Sequence, residues 1–200
     1  MNSSSQPVGS PDHERILVVR AQAGDRAAAN ELLELLYDQL WRVARRMLGN
    51  DSDAYDATQD TLIKIVTGLH TFDGNSQVRT WAYRIAQNTC IDALRKRQRT
   101  PEPVDTQAEL AHSAQWNSSR HGEVELRLDL DRAMDQLLPE VRSVIVLRSV
   151  MDLDYETIAE ILDLPIGTVR SRLSRGRSQL TELLDGGNQT NDTNVQREDS

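Results

Sequence analysis

Apolar residues recur at intervals of three and four along most of the chain, the spacing that lays one stripe down an α-helix. The pattern predicts a first helix from about Asp12, as N-cap, to Ala23, with Gly24 stopping it and Asp25 capping the next. The second helix is long: Leu32, Leu33, Leu36, Leu40, Val43, Ala44 and Met47 form its buried stripe before Gly49 ends it. Asp51 or Ser52 is expected to cap a third helix, Asp53 to about His70, and the run from Thr71 to Ser76 to be a loop. A fourth helix starts at Ser76 or a neighbour and reaches about Arg99. Its inner stripe is Val78, Ala82, Ile85, Ala86, Thr89 and Ala93, while Arg84, Asn88 and Arg95 face outward.

Pro101 and Pro103 break this pattern, and residues 101–122 read as a flexible linker. Trp116 within it is either incidental or an anchor on a partner. From Glu123 the helical period returns through Leu126, Leu130, Met134 and Leu137, and Pro139 opens a helix carrying Val141, Val144, Ile145 and Leu147. Residues 1–11 and 186–200 have little to bury and are expected to be disordered. The expected fold is all-α: two small helical domains, 12–100 and 123–185, joined by the linker.

The segment from Asp154 to Arg177 spells two short helices joined by a tight turn, a helix-turn-helix. Ile158, Leu162, Leu164 and Val169 fall where two crossed helices touch, and Ala159 is small enough to let the second approach the first. Asp163 stands in the turn where a left-handed residue, usually Gly, is expected; Asp tolerates that conformation better than most. On the second helix, Ile166, Val169, Leu173 and Leu180 share the buried side. Thr168, Ser171, Arg175 and Ser178 point the other way, with Arg170 and Arg172 on the flanks. That face offers hydroxyl and guanidinium donors without a carboxylate, which suits a major groove lined with acceptors and phosphates. Taken alone, the same helix fits a solvated basic face equally well, and it is the helix and turn before it that favour DNA.

A net charge of −8 over 200 residues does not describe a free-standing nucleic-acid binder. The charge is uneven, however. Acid gathers between Glu102 and Asp131 and in the tail, and base gathers in Arg95–Arg99 and Arg170–Arg177. Two cationic patches inside an anionic envelope predict weak DNA affinity alone and useful affinity once a partner adds contacts. The lone Cys90 cannot form an internal disulfide and fits a small packing role. The four histidines are scattered without companion cysteines, so no metal or other cofactor is expected. No paired carboxylates, activated nucleophile or phosphate loop argues for an enzyme. No apolar run approaches the ~20 residues of a membrane span, and the start lacks a signal peptide's apolar centre, so a cytoplasmic protein without membrane insertion is expected.

Trp81 and Tyr83 flank the inner stripe of the fourth helix, near a loop holding Phe72, Asn75 and Ser76. Aromatic, amide and cationic groups in one patch can hold unpaired bases by stacking and by reading their edges. Packed aromatic rings beside a solvated Arg84 account for the same residues at least as well.

Longer motifs resemble a known family. The run from Asp53 to Lys64, Phe72-Asp73, Arg79 to Asn88, and Asp92 to Arg97 resemble the second conserved region of bacterial RNA polymerase sigma factors. Leu137 to Arg148 and Tyr155 to Leu180 resemble their fourth region, and two modules without a third region resemble the extracytoplasmic-function class. The resemblance implies a factor that binds core RNA polymerase and promoter DNA and promotes strand opening. It places polymerase contacts at Asp56, Gln59, Asp60 and Ile63, with Asp60 in place of the family's Glu. It implies that Phe72, Asn75, Ser76, Arg79, Tyr83, Arg84 and Asn88 hold a flipped base of the minus-ten element, with Arg95, Lys96 and Arg97 on phosphates. Extruding that base costs a few kcal/mol, about what a stacking and pairing pocket offsets. Thr168, Arg170, Ser171, Arg172, Arg175 and Ser178 would read the minus-thirty-five element as duplex. An anti-sigma factor is the further partner implied, and the free chain would be a monomer. An autonomous regulator that dimerises on a palindrome lacks any dimer helix here, and a helical protein-interaction module would use the basic helices on an acidic partner instead.

Overall fold

The computed structural model describes residues 10–99 and 129–195, with side chains to Arg97 in the first stretch and to Asp185 in the second. The expected linker 101–122 with Trp116, the turns bearing Glu123 and Leu126, residues 1–9 and the last five residues lie outside the described residues. The described residues are all-α. In order they form α1 (Pro11–Gln22), α2 (Arg26–Leu48), α3 (Asp51–Gly68), a 3-10 turn (Leu69–Thr71) and α4 (Val78–Arg99). After the gap come a helical stretch at 129–135 (α5), then α6 (Pro139–Ser149), α7 (Tyr155–Leu162) and α8 (Ile166–Val195).

Local chemistry explains most helix ends. The Asp25 carboxylate accepts from the Ala27 and Ala28 amides, satisfying two donors that the start of α2 leaves open, and Gly49 closes that helix with φ +80°. Asp163 closes α7 in the left-handed conformation expected of it, with φ +52°. Three boundaries differ from expectation. α1 is capped by Ser10, whose hydroxyl accepts from the His13 amide, so Pro11 and Asp12 are already helical. α3 is capped by Asn50, which accepts from the Asp53 amide and donates back to its carboxylate; that reciprocal pair outcompetes Asp51 and Ser52. α3 also gives way to the 3-10 turn at Leu69 rather than running to His70. α8 continues through Gly186 to Val195, past the expected end near Leu184, because no proline interrupts it and each added residue gains a backbone bond on a helix already nucleated.

In the first module α2 packs against α1, α3 and α4, and α3 against α4. Leu17, Leu32, Leu36, Leu40, Val43, Met47 and Ile65 are wholly removed from solvent there. Each such burial stabilises by about 1.5–3 kcal/mol. In the second module α6 and α7 pack on α8 around Leu147, Ile158, Ile161, Val169 and Leu173. Ile166 departs from the expected core side and is exposed, because it is the first residue of α8, whereas Val169 and Leu173, one and two turns on, are buried.

The two modules also pack on each other, α2 against α6 and α4 against both α6 and α7. α4 is therefore buried on two sides. Beyond the expected inner stripe, Tyr83, Gln87, Cys90 and Leu94 are buried as well.

Candidate nucleic-acid interface

The helix-turn-helix is built as its sequence requires. The Asp154 carboxylate caps α7 by accepting from the Thr157 amide at 2.7 Å; that bond holds the Asp154 pKa below the usual carboxylate value. α8 lies against α6 at Gly176, which is buried. A Cβ at that position would stand 2.5 Å from Ile145 Cδ1 and 2.6 Å from Val141 Cγ1, so no larger residue lets α8 come this close. The sequence pattern did not single out this glycine; its place between two arginines in the stripe of Val169 and Leu173 is the signal that could have.

Arg170, Ser171, Arg175 and Ser178 are exposed on α8, and Thr168 and Arg172 half-buried. The Ser171 hydroxyl donates to the Thr168 carbonyl and the Ser178 hydroxyl to that of Ser174, leaving their oxygens as acceptors until the hydroxyls rotate. Arg170 lies over the Tyr155 ring at 5.9 Å, and Arg148 over the same ring at 6.0 Å. The cation–π contact ties Arg170 of α8 to Tyr155 at the start of α7. Arg175 and Arg177 are exposed guanidinium groups further along α8, with Arg172 half-buried on its flank.

The first module divides its expected base-holding residues between surface and core. Asn75 is exposed in a tight turn in which its amide nitrogens bond the Asp73 carboxylate, and Ser76 beside it is half-buried. Phe72 packs on Trp81 with ring centroids 5.2 Å apart, and Gln22 of α1 ties down this loop through the Leu69 and Phe72 carbonyls. Tyr83 is buried, its hydroxyl donating to Gln39 of α2, so its ring serves packing in this arrangement. Burial raises its pKa, opposed by the nearby Arg79 charge. Arg79 forms a two-nitrogen fork on Glu14, at 2.5 and 2.6 Å, and this pairing raises its pKa. Glu14 is nearly inaccessible and was not evident from the sequence; it locks the start of α4 to α1. Asn88, Arg95, Lys96 and Arg97 are exposed along α4. Arg84 is exposed too, yet donates to the Glu160 carbonyl of α7 at 2.6 Å. A cleft of about 510 Å³ opens at this boundary, between Arg42, Arg79 and Tyr83 on one wall and Leu153, Asp154 and Glu160 on the other.

The outer side of α3 carries Asp56, Asp60 and Ile63 exposed and Gln59 half-buried, so the structure brings the four expected polymerase contacts onto one stripe. Tyr55 and Val66 are also exposed there, adding apolar surface that the sequence reading missed. Ile65 is wholly buried on the inner side of α3, and Leu62 is partly buried.

Comparison with known proteins agrees with this layout. Residues 32–100 match the family Sigma-70 region 2, and residues 127–180 match Sigma-70 region 4. The ECF RNA polymerase sigma factor SigE of Mycolicibacterium smegmatis is 37% identical over 80% of this chain, which spans 64% of that longer protein. The ECF RNA polymerase sigma-E factor of Escherichia coli K12 is 33% identical, over 84% of this chain and 92% of its own length. The RNA polymerase sigma-H factor of Pseudomonas aeruginosa is 31% identical, over 86% and 94%. Among solved structures, CnrH in complex with the cytosolic domain of CnrY superposes with a TM-score of 0.67 at 26% identity, covering 88% of this chain and 99% of CnrH. The sigma factor RpoE of Bartonella quintana, in complex with the anti-sigma factor NepR, gives 0.60 at 28% identity, covering 78% and 96%. With both conserved regions matched in order and relatives above 30% identity aligned nearly end to end, the chain belongs to the extracytoplasmic-function class of RNA polymerase sigma factors.

Proposed function

We propose that this chain is a promoter-specificity subunit that acts in the cytoplasm: it binds core RNA polymerase, sets its two modules on two promoter elements and nucleates strand opening between them. The observation that carries this reading is the pairing of two exposed surfaces with the two matched regions. One is the α8 face of Thr168, Arg170, Ser171, Arg172, Arg175 and Ser178, free of carboxylates; the other is the acid-and-apolar stripe of Asp56, Gln59, Asp60 and Ile63 on α3. The first meets the minus-thirty-five duplex and the second docks on the polymerase. The loop at Phe72, Asn75 and Ser76, with Arg84 and Asn88 on α4, takes the displaced minus-ten strand. Arg95, Lys96 and Arg97 hold its phosphates, and Arg79 and Tyr83 fix the position of α4 behind them. No bond of the substrate is made or broken by these groups; they bind and orient. An anti-sigma protein that masks these surfaces is the natural inhibitor; the similar RpoE was solved in complex with the anti-sigma factor NepR, and CnrH in complex with the cytosolic domain of CnrY. Run-off transcription with purified core polymerase on a promoter library tests the reading. Transcripts from a defined promoter class are expected only when this chain is added, and an unchanged transcript pattern refutes it.

A further inference from the structure

Two clasps join α1 to the segment proposed to hold the minus-ten base, one at each end of it. At the first, the Gln22 side-chain amide donates to the Leu69 carbonyl at 2.9 Å and to the Phe72 carbonyl at 2.8 Å, which uses both of its hydrogens. At the second, the Arg79 guanidinium donates through two nitrogens to one oxygen of Glu14. Glu14, Val18 and Gln22 recur every four residues and so share one side of α1, the side on which Leu17 and Val18 are buried. The eight residues of helix from Glu14 to Gln22 set the clasps about 12 Å apart along α1.

Between the clasps the loop bonds to itself. Asp73 accepts from the backbone and side-chain nitrogens of Asn75, Gly74 turns the chain with φ +74°, and the Phe72 ring leans on Trp81. α1 precedes residues 32–100, the stretch that matches Sigma-70 region 2, so both clasps reach the loop from outside that stretch. Stability alone does not account for them. Glu14 is 3% exposed, and a buried ion pair is often no more stabilising than apolar residues of the same shape. What the fork supplies, and an apolar contact would not, is a fixed direction for Arg79, the second residue of α4. Gln22 is exposed and buries little, yet both its donors are committed to the two carbonyls.

We propose that Glu14 and Gln22 are positioning residues for base capture: α1 splints the segment from Leu69 to Arg79, so that the Phe72, Asn75 and Ser76 loop and the start of α4 are set before the displaced strand arrives. This rests on the minus-ten role proposed above and gives α1 a part in it. A loop ordered beforehand surrenders no backbone freedom on binding, and a loosened one binds in proportion to its competent fraction. Neither residue touches DNA; Gln22 acts through the loop and Glu14 through Arg79.

Gln22→Glu keeps the size of the side chain but removes both donors, and at an exposed position in the last turn of α1 it should leave the fold intact. Hydrogen exchange on the full chain reads the splint without DNA: the Phe72 and Asn75 amides should exchange about tenfold faster, with α2 and α3 unchanged. The second probe is a single-stranded oligonucleotide carrying the minus-ten element of a promoter used in run-off transcription. Its affinity for the complex with core polymerase should fall about tenfold. That loss should be absent when abasic nucleotides replace the element's bases, because the strand's backbone does not use the pocket. Gln22→Lys, which donates again, should recover most of it, and Glu14→Gln, which keeps an acceptor without the charge, should weaken binding in the same base-dependent way. Unchanged loop exchange, unchanged affinity, or an equal loss on the abasic strand would each overturn the splint. If the wild-type chain supports no run-off transcription, the promoter reading and the base-holding role fail together; variants that behave like wild type in a chain that does support it sink the splint alone.

Discussion

Gly176 of α8 rests against Ile145 of α6 with no room for a methyl group: the added carbon would stand 2.5 Å from Ile145 Cδ1. Ile145 can swing its end away, but Val141, at 2.6 Å, is branched at Cβ and has little freedom. Gly176→Ala gains about 1 kcal/mol of helix propensity and incurs about 1–3 kcal/mol of overpacking. The expected net result is a destabilised second module, read as a lower urea midpoint at unchanged slope, with Gly176→Val falling further. Promoter binding should weaken with it, because this contact sets the α8 face that is proposed to meet DNA.

Cys90 is wholly buried on α4, and burial pushes its thiol pKa up to about 12. At pH 8 it should resist thiol reagents in the folded chain and react only as fast as the chain unfolds. Mass spectrometry after alkylation, with and without urea, checks this. Rapid alkylation of the native protein would mean that the α4 boundary opens far more readily than its burial suggests.

The cap at Asp154 predicts a pH dependence of known sign. Its folded pKa lies below the ordinary value of 3.8, so the stability it adds is complete above about pH 4 and disappears as pH falls through the lower folded value. Asp154→Asn keeps an acceptor for the Thr157 amide but does not titrate. Thermal unfolding of both proteins from pH 7 to pH 3 should show the wild type losing its advantage only at the acidic end.

The outer stripe of α3 makes a separable prediction. Ile63 is 60% exposed and contributes little to the core, so Ile63→Asp should leave the melting temperature within a few degrees of the wild type. Core polymerase binding, measured by co-elution or anisotropy, should fall at least tenfold. Loss of stability instead of binding would make this a packing surface.

Local signals in the sequence announced most of the elements. Asp25, Gly49, Pro139 and Asp163 each act through their own backbone or the next turn, so each was readable where it stands. Ser10 and Asn50 were missed because neighbouring Asp12, Asp51 and Ser52 are equally able caps, and only the chain's entry angle decides among them. The second buried side of α4 was not legible at all. Arg84 bonds Glu160 and Arg95 bonds Glu140, pairings across 76 and 45 positions that no periodicity encodes. Of the candidate site, the α8 and α3 surfaces were foreseen as faces, whereas the closure that places Arg84 on α7 was not.

Arg175 offers the cleanest measure of the contact proposed between α8 and DNA. It is exposed on the side opposite Val169 and Leu173, and nothing in the helix depends on it. If it neutralises one phosphate, Arg175→Ala should weaken promoter binding by the polymerase complex about equally across minus-thirty-five variants and reduce the slope of log affinity against log salt by about 1. If it instead forks onto a guanine edge, the loss should be about 1–3 kcal/mol on one base pair's preferred sequence and small on the others, with the salt slope little changed. The hydroxyl of Ser171 provides the contrast: already bonded to the Thr168 carbonyl, it brings no charge, so Ser171→Ala should leave the salt slope unaltered whichever role Arg175 plays.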